Sequence, residues 1–374
     1  MHRPHKPPVR VFRVLALFLA TVVAYGLGEI AARVWYATRP VVGLRGLHVY
    51  QPDLPWLYGL RPGAEGRLTA PGRSQARYRI NEDGFRGPRY ARPKPANRFR
   101  VVVMGDSVAF GYDVEEREAF PRVLEQTTAL EAPEARVEVV NLGVGGYNPW
   151  NEAKLFAGVG IGYQPDLVLV QFCVNDLNDP TIHFDGQTRL ALSAIPDEAF
   201  PDPSRRLRRK APSRLDRLCL RSGLCTMARE VWLRRIASTW SDDEELFAFE
   251  PITSKDGPEW PWLERNYMEM AAAAGRGGAR FAVLMIPHRG QVEDETHKPD
   301  SVREQLQAIA ARHGWTLVDP LDAFRAARRD GVALFLDQWH PTAAGHRLIA
   351  EATQRALACA GDLGDKGRTA CPTK

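Results

Sequence analysis

The chain has 374 residues, 44% of them apolar and 25% charged, values that exclude a disordered or fibrous protein and allow one large domain or two modest ones. The formal charge of +5 is mild and uneven: basic residues crowd the start (Arg3, Lys6, Arg10, Arg13) and the stretch from Arg205 to Arg221. No recognised module or dense basic helix points to nucleic acid, and the second cluster reads as a solvated basic loop.

Val14–Gly28 (VLALFLATVVAYGLG) is almost wholly apolar, and continued through Ile30–Tyr36 it reaches the roughly 20 residues that cross a bilayer. With positive charges ahead of it, the positive-inside rule puts the N-terminus in the cytoplasm and the body outside. The expectation is a basic leader at 1–13 and an uncleaved anchor at 14–36, in the cytoplasmic (inner) membrane with the body on the periplasmic side. A cleaved signal peptide is the alternative, with Ala31-Ala32 as the nearest cleavage site, and a buried core helix is a third. The cysteines fit export. Cys219 lies close to Cys225, and Cys359 to Cys371, so two local disulfides are plausible in an oxidising compartment, although spacing does not fix the connectivity. Cys173 is left over in an apolar run, which suits a buried free thiol.

Residues 37–97 are rich in Pro, Gly and Arg and read as a linker with short strands, including Ala76–Ile80, followed by a turn at Asn81-Glu82-Asp83-Gly84. The character changes at 98. Phe99–Met104, Arg136–Leu142, Asp166–Phe172, Arg280–Ile286 and Trp315–Val318 are apolar, β-branched runs of strand length, the third apolar enough for a sheet centre. Helical spacing falls between them at Phe120–Leu130, Asn151–Val159, Ser301–His313 and Thr342–Ala358. Strands alternating with helices imply a parallel sheet covered on both faces, so 98–360 is expected to be a three-layer α/β/α domain. The stretch at about 180–278 interrupts the rhythm as an insertion able to cap a site, with helices expected at Thr226–Trp240 and Trp262–Ala274, and 361–374 is a short tail.

Four short segments sit where a parallel sheet places its ligands, outside the carboxyl ends of the strands. Gly105-Asp106-Ser107 follows the first strand; alone, the tripeptide reads sooner as a helix N-cap than as a catalytic site. Asn141-Leu-Gly-Val-Gly-Gly-Tyr147 follows the second, and its glycines expose backbone N–H groups able to donate to a developing oxyanion. Cys173-Val-Asn175-Asp176 follows the third, with a side-chain amide at the same edge. Asp337-Gln-Trp-His340-Pro341 precedes the last helix. There an imidazole can act as general base and a carboxylate three residues earlier can orient it, with Pro341 at the first helical position as the simpler reading.

Together, GDSVAFG (105–111), NLGVGG (141–146), VND (174–176) and DQWHP (337–341) resemble the four blocks of the SGNH, or GDSL-like, esterase and acylhydrolase superfamily. The resemblance covers about 98–358. It implies a flavodoxin-like fold and a serine ester hydrolase, with Ser107 as nucleophile, His340 as base and Asp337 as its orienting acid. The implied oxyanion donors are the Ser107 and Gly146 backbone N–H groups and the Asn175 side chain; Gly146 is taken because the family's donor glycine usually closes its motif. One departure is Cys173, where the family often has glycine. The Asn-Glu-Asp-Gly-Phe-Arg segment (81–86) ahead of the first block also resembles exported bacterial members. The expected substrate is a small-molecule, lipid or O-acylated glycan ester, and no cofactor is implied. A transferase passing its acyl group to a cell-envelope glycan is the nearest alternative, and an inactive binding module on the same fold is a second. His183, His288, His297, His313 and His346 lack ligand spacing, so no metal is expected.

Overall fold

The computed structural model describes residues 9–38, 41–42, 47–50, 54–67, 76–131, 136–177, 197–199, 222, 224–225, 257–293 and 301–363. By its contacts the chain divides into two compact units, Met1–Pro40 with Ala211–Ala248, and Val41–Lys210 with Phe249–Lys374.

The described part of the first unit is one long helix, α1 (Val9–Thr38), and a short stretch at Ser222–Cys225. Val11–Val34 is apolar enough to cross a membrane, and none of its most apolar window is buried in protein. Near its end Glu29 accepts hydrogen bonds from Ser222 Oγ (2.9 Å), the Leu224 N–H (3.1 Å) and Arg33 Nε (2.8 Å). The carboxylate is thereby satisfied within its own unit, which an apolar setting requires. The helix expected at Thr226–Trp240 lies outside the described residues.

The second unit is built on five parallel strands: β6 (Phe99–Met104), β7 (Val137–Asn141), β8 (Leu167–Phe172), β9 (Arg280–Met285) and β10 (Thr316–Val318), in the order β10-β9-β8-β6-β7. The third expected strand, β8, is central, and all six of its residues are buried. Successive residues face opposite sides. Val102, Met104, Val168, Val170, Val283 and Met285 enter one core, and Val101, Val103, Leu167, Leu169, Ala282 and Leu284 the other. The first core includes residues of α4 (Pro149–Gly158), α5 (Glu259–Arg276) and α7 (Ser301–His313); the second includes residues of α3 (Phe120–Glu131), α8 (Leu321–Arg329) and α9 (Ala343–Ala360). This is the expected three-layer α/β/α fold. α5 begins three residues before the expected Trp262 and ends two beyond Ala274. Three helices were not expected: α8 and the short α2 (Ser107–Phe110) and α6 (Arg289–Glu293).

The stretch expected as a linker carries its short strands, but it is also packed. An antiparallel pair joins β2 (His48–Tyr50) to β3 (Tyr58–Leu60), and another joins β4 (Glu65–Arg67) to β5 (Arg77–Arg79), with β1 (Val41–Val42) parallel to β4. Leu47, Tyr58, Leu60, Tyr78, Ile80 and Phe85 are buried in the first core beside sheet residues. The reason is chemical: a Pro- and Arg-rich stretch still supplies enough large apolar side chains to be worth burying, at roughly 2 kcal/mol each. Within the insertion, Asp197–Ala199 packs on this second unit: Ala199 O accepts from Asn148 Nδ2 (3.2 Å) and Glu198 O from Trp262 Nε1 (2.8 Å).

Of the cysteines, Cys173 is free and buried, and Cys225 and Cys359 are disulfide-bonded. Cys219 and Cys371 lie outside the described residues.

Candidate active site

Ser107 is the first residue of α2, immediately beyond β6. The turn between them depends on Gly105, where an added Cβ would stand 2.5 Å from Gln171 Oε1. That oxygen accepts from the N–H groups of Asp106 (3.2 Å) and Ala109 (3.1 Å), tying the turn to the central strand. The N-cap reading and the nucleophile reading of Gly-Asp-Ser fall on different residues. Asp106 is the cap, accepting from the Val108 N–H at 2.9 Å, so Ser107 is not occupied by capping.

Arg86, the last residue of the Asn-Glu-Asp-Gly-Phe-Arg segment, holds the other end of α2. Its Nη1 donates to the carbonyls of Phe110 (3.1 Å) and Gly111, and its Nη2 to those of Val114 (2.7 Å) and Arg77 (3.2 Å). The side chain is 2% exposed and lies over the rings of Tyr78 and Phe110. Burial pulls the guanidinium below the ordinary arginine value. Upstream, Asn81 Oδ1 accepts from the N–H groups of Asp83 (2.9 Å) and Phe85 (3.1 Å), shaping the turn that delivers Arg86.

Asp337 and His340 lie on a loop closed by a bridge between Phe335 and Pro341. Thr342, not Pro341, starts the last helix: it caps α9 by accepting from the Gly345 N–H (3.2 Å), and Pro341 stands outside. His340 Nε2 is 3.0 Å from Ser107 Oγ, and His340 Nδ1 is 2.8 Å from Asp337 Oδ2. The second carboxylate oxygen accepts from the N–H groups of Trp339 and His340, both at 2.8 Å. Burial alone would raise the Asp337 carboxyl. The His340 hydrogen bond, the imidazole charge and the two backbone donors outweigh it and hold the group well below its ordinary range. The acid therefore stays ionised and fixes the proton of the neutral imidazole on Nδ1, leaving Nε2 as the acceptor facing Ser107. The Tyr112 ring lies 4.5 Å from that of His340, and the His288 ring 5.6 Å from that of Trp339.

Asn175 Nδ2 donates to Asp106 Oδ2 at 2.9 Å. That carboxylate sets the orientation of the amide, whose nitrogen has a second hydrogen. Gly146 has φ +80°, a conformation L side chains rarely adopt, and its N–H follows a carbonyl that accepts from His48 Nε2 (3.2 Å) and from the Tyr58 hydroxyl (3.5 Å). Behind the site, Cys173 N–H donates to Asp176 Oδ2 (2.8 Å). Burial, then the charges of Asp106 and Asp176, push the Cys173 thiol up, so it is no nucleophile. Glu152 is raised by burial and then by Asp106, and Asp176 by burial and then by Glu152 and Asp106, which favours their neutral forms.

The structure thus brings Ser107, Asp337 and His340 into one relay, with Gly146 and Asn175 on the neighbouring loops. Sequence reasoning missed Tyr112, His48 and Tyr58, and gave Arg86 no contact. Among the described residues no group of three or more His, Cys, Asp or Glu side chains could hold a metal ion.

A serine–imidazole–carboxylate relay at the carboxyl edge of a parallel α/β sheet is the apparatus of a serine-type hydrolase. Residues 103–348 match the GDSL-like Lipase/Acylhydrolase family. The chain belongs to that family and is a carboxylic ester hydrolase. No curated protein matches it. Similar solved structures include LAE5, an alpha/beta hydrolase enzyme from the metagenome of Lake Arreo, Spain, at 17% identity over 70% of this chain and 95% of that one, with TM-score 0.42. The acetyl xylan esterase AlAXEase is 12% identical over 69% of this chain and 100% of its own, with TM-score 0.43. The acetylxylan esterase Axe2 from Geobacillus stearothermophilus is 14% identical over 73% and 97%, with TM-score 0.41.

Proposed function

We propose that the protein hydrolyses an ester in two acyl-transfer steps outside the cytoplasmic membrane. His340 Nε2 takes the Ser107 proton as Oγ attacks the ester carbonyl. The oxyanion accepts from the Ser107 and Gly146 N–H groups and from the second amide hydrogen of Asn175. Collapse of the tetrahedral intermediate breaks the C–O bond, and His340 returns the proton to the leaving alcohol. Water, deprotonated by the same imidazole, then attacks the acyl-enzyme; acid leaves and Ser107 Oγ regains its proton. The observation that carries this reading is the continuous relay from Ser107 Oγ through His340 to Asp337, with contacts of 3.0 and 2.8 Å.

The location rests on other features. The apolar stretch Val11–Val34 and the basic residues ahead of it support a single-pass anchor with the N-terminus inside. The disulfide-bonded Cys225 and Cys359 support an oxidising compartment. An enzyme tethered there meets O-acylated envelope carbohydrate and lipid esters. The same relay can deliver the acyl group to a sugar hydroxyl, and hydrolysis is the reading preferred. The test incubates the full chain, in detergent or vesicles, with short and long acyl esters and with acetylated glycans. Free acid as the product, with no acylated acceptor sugar, is the expected result. Acylated sugar formed in preference to free acid would overturn hydrolysis in favour of transfer.

A further inference from the structure

The strand pair β2–β3 precedes the residues that match the family, yet it reaches the candidate oxyanion hole. His48 is 4% exposed. Its Nε2 lies 3.2 Å from the Gly145 carbonyl oxygen, and against a carbonyl a ring nitrogen must donate. Tyr58 donates to the same oxygen at 3.5 Å. His48 pairs with Leu60 across the strands, so Tyr58, two residues earlier, is its diagonal neighbour on the same face. Tyr58 is fixed in turn: its carbonyl accepts from the Tyr147 hydroxyl, and the two rings pack edge to face at 4.9 Å.

The peptide so gripped is the one that carries the Gly146 N–H. In a trans peptide the C=O and the following N–H point in opposite directions. A carbonyl turned toward His48 therefore turns the Gly146 N–H away from the strand pair. Ser107 is close to the same peptide: a Cβ built on Gly145 would be 3.7 Å from His48 Nε2 and 4.0 Å from Ser107 Cβ, so the gripped residue neighbours both. A Gly-Gly peptide is intrinsically loose, because neither residue has a Cβ to restrict its rotation. An oxyanion donor must instead be fixed before the reaction begins.

We propose that His48, assisted by Tyr58, is a positioning residue that locks the Gly145–Gly146 peptide with the Gly146 N–H aimed at the oxyanion. The segment between the apolar helix and the family domain is then part of the active site. This rests on the reading of Ser107 as nucleophile and Gly146 as oxyanion donor. Loss of the lock frees the peptide to rotate, so the cost falls on the transition state and not on ground-state binding.

The experiment compares His48→Met with His48→Gln in the full chain, using a short-chain aryl ester and a boronic acid that mimics the tetrahedral state. Methionine fills the space without a donor; glutamine restores one. His48→Met is expected to lower kcat about 10- to 100-fold with KM within about twofold, and to weaken the boronic acid by a matching factor. His48→Gln should recover most of both. If His48→Met does not fold, His48→Asn, polar but too short to reach the carbonyl, takes its place with the same expectation. A variant without a reaching donor that keeps wild-type kcat, or a glutamine variant as impaired as methionine, overturns the proposal. Ser107→Ala run in parallel separates the two readings. If it keeps activity, the underlying site assignment fails; if it is inactive while His48→Met is unimpaired, only the positioning role of His48 fails.

Discussion

Replacing Asp337 by asparagine changes one oxygen to nitrogen and should remove most of the activity. In the native site one carboxylate oxygen accepts two backbone N–H groups at 2.8 Å, and the other faces His340 Nδ1, also at 2.8 Å. An asparagine has one oxygen to place. Set against the two backbone donors, it keeps both hydrogen bonds, worth about 1 kcal/mol each, and turns its NH2 to His340. Set the other way, it opposes the NH2 to two donors and loses both. The first arrangement wins and forces the imidazole proton onto Nε2, the atom proposed to accept the Ser107 proton. A base in the wrong tautomer costs on the order of 10,000-fold in kcat, or ~5.4 kcal/mol of barrier. The assay is aryl-ester hydrolysis at neutral pH, with thermal unfolding as a control. KM and the melting temperature should barely change. An Asp337→Asn variant that folds and keeps kcat within tenfold of wild type would refute the tautomer argument.

The remaining predictions concern other parts of the same frame. Asn175→Ala removes a proposed oxyanion donor and one hydrogen bond to Asp106, so kcat should fall a hundredfold or more, about 3 kcal/mol, with little change in KM; a loss below threefold would exclude Asn175 from the hole. Arg86→Met removes the arginine's hydrogen bonds to the carbonyls of Phe110, Gly111, Val114 and Arg77, three of them buried, and should cost about 4 kcal/mol and lower the melting temperature by about 10 °C; an unchanged melting curve would contradict the anchoring role. His346 is fully buried, accepts from the Phe120 N–H through Nδ1, and is pulled down to about 3 by burial, then by the charges of Arg86 and His340. Between that value and the ordinary imidazole value of 6.5 the unfolded chain binds a proton the folded chain does not, so stability falls as the pH drops through this window, by about 2 kcal/mol at pH 5. His346→Asn should flatten that acid-side slope in denaturant titrations, and an undiminished slope would place the effect elsewhere.

The parallel sheet is legible because a strand buried on both faces is dominated by apolar residues, as LVLV at 167–170 is, whereas α8 (LDAFRAARR) is too short and polar to declare itself. The site is legible because its chemistry permits few residue types, and because Ser107, Asn175 and His340 each follow a strand or precede a helix. His48, Tyr58 and Arg86 are not legible in this way. Histidine and tyrosine in a Pro- and Gly-rich stretch look like linker residues, and their partner, Gly145, lies 97 and 87 positions away. An arginine after a turn signals solvent exposure, and only the folded chain shows the carbonyls that make its burial tolerable. Local pattern reports an element's own periodicity. It does not report what a distant loop lays against it.

The central claim is that Ser107 attacks the acyl carbon with its proton taken by His340. It is tested most directly by treating the full chain with a fluorophosphonate and mapping the adduct by mass spectrometry. The account predicts one adduct per chain, on Ser107, formed in step with loss of esterase activity and abolished both in Ser107→Ala and by prior occupation with a boronic acid. Labelling at another residue, or full ester turnover by Ser107→Ala, would contradict it.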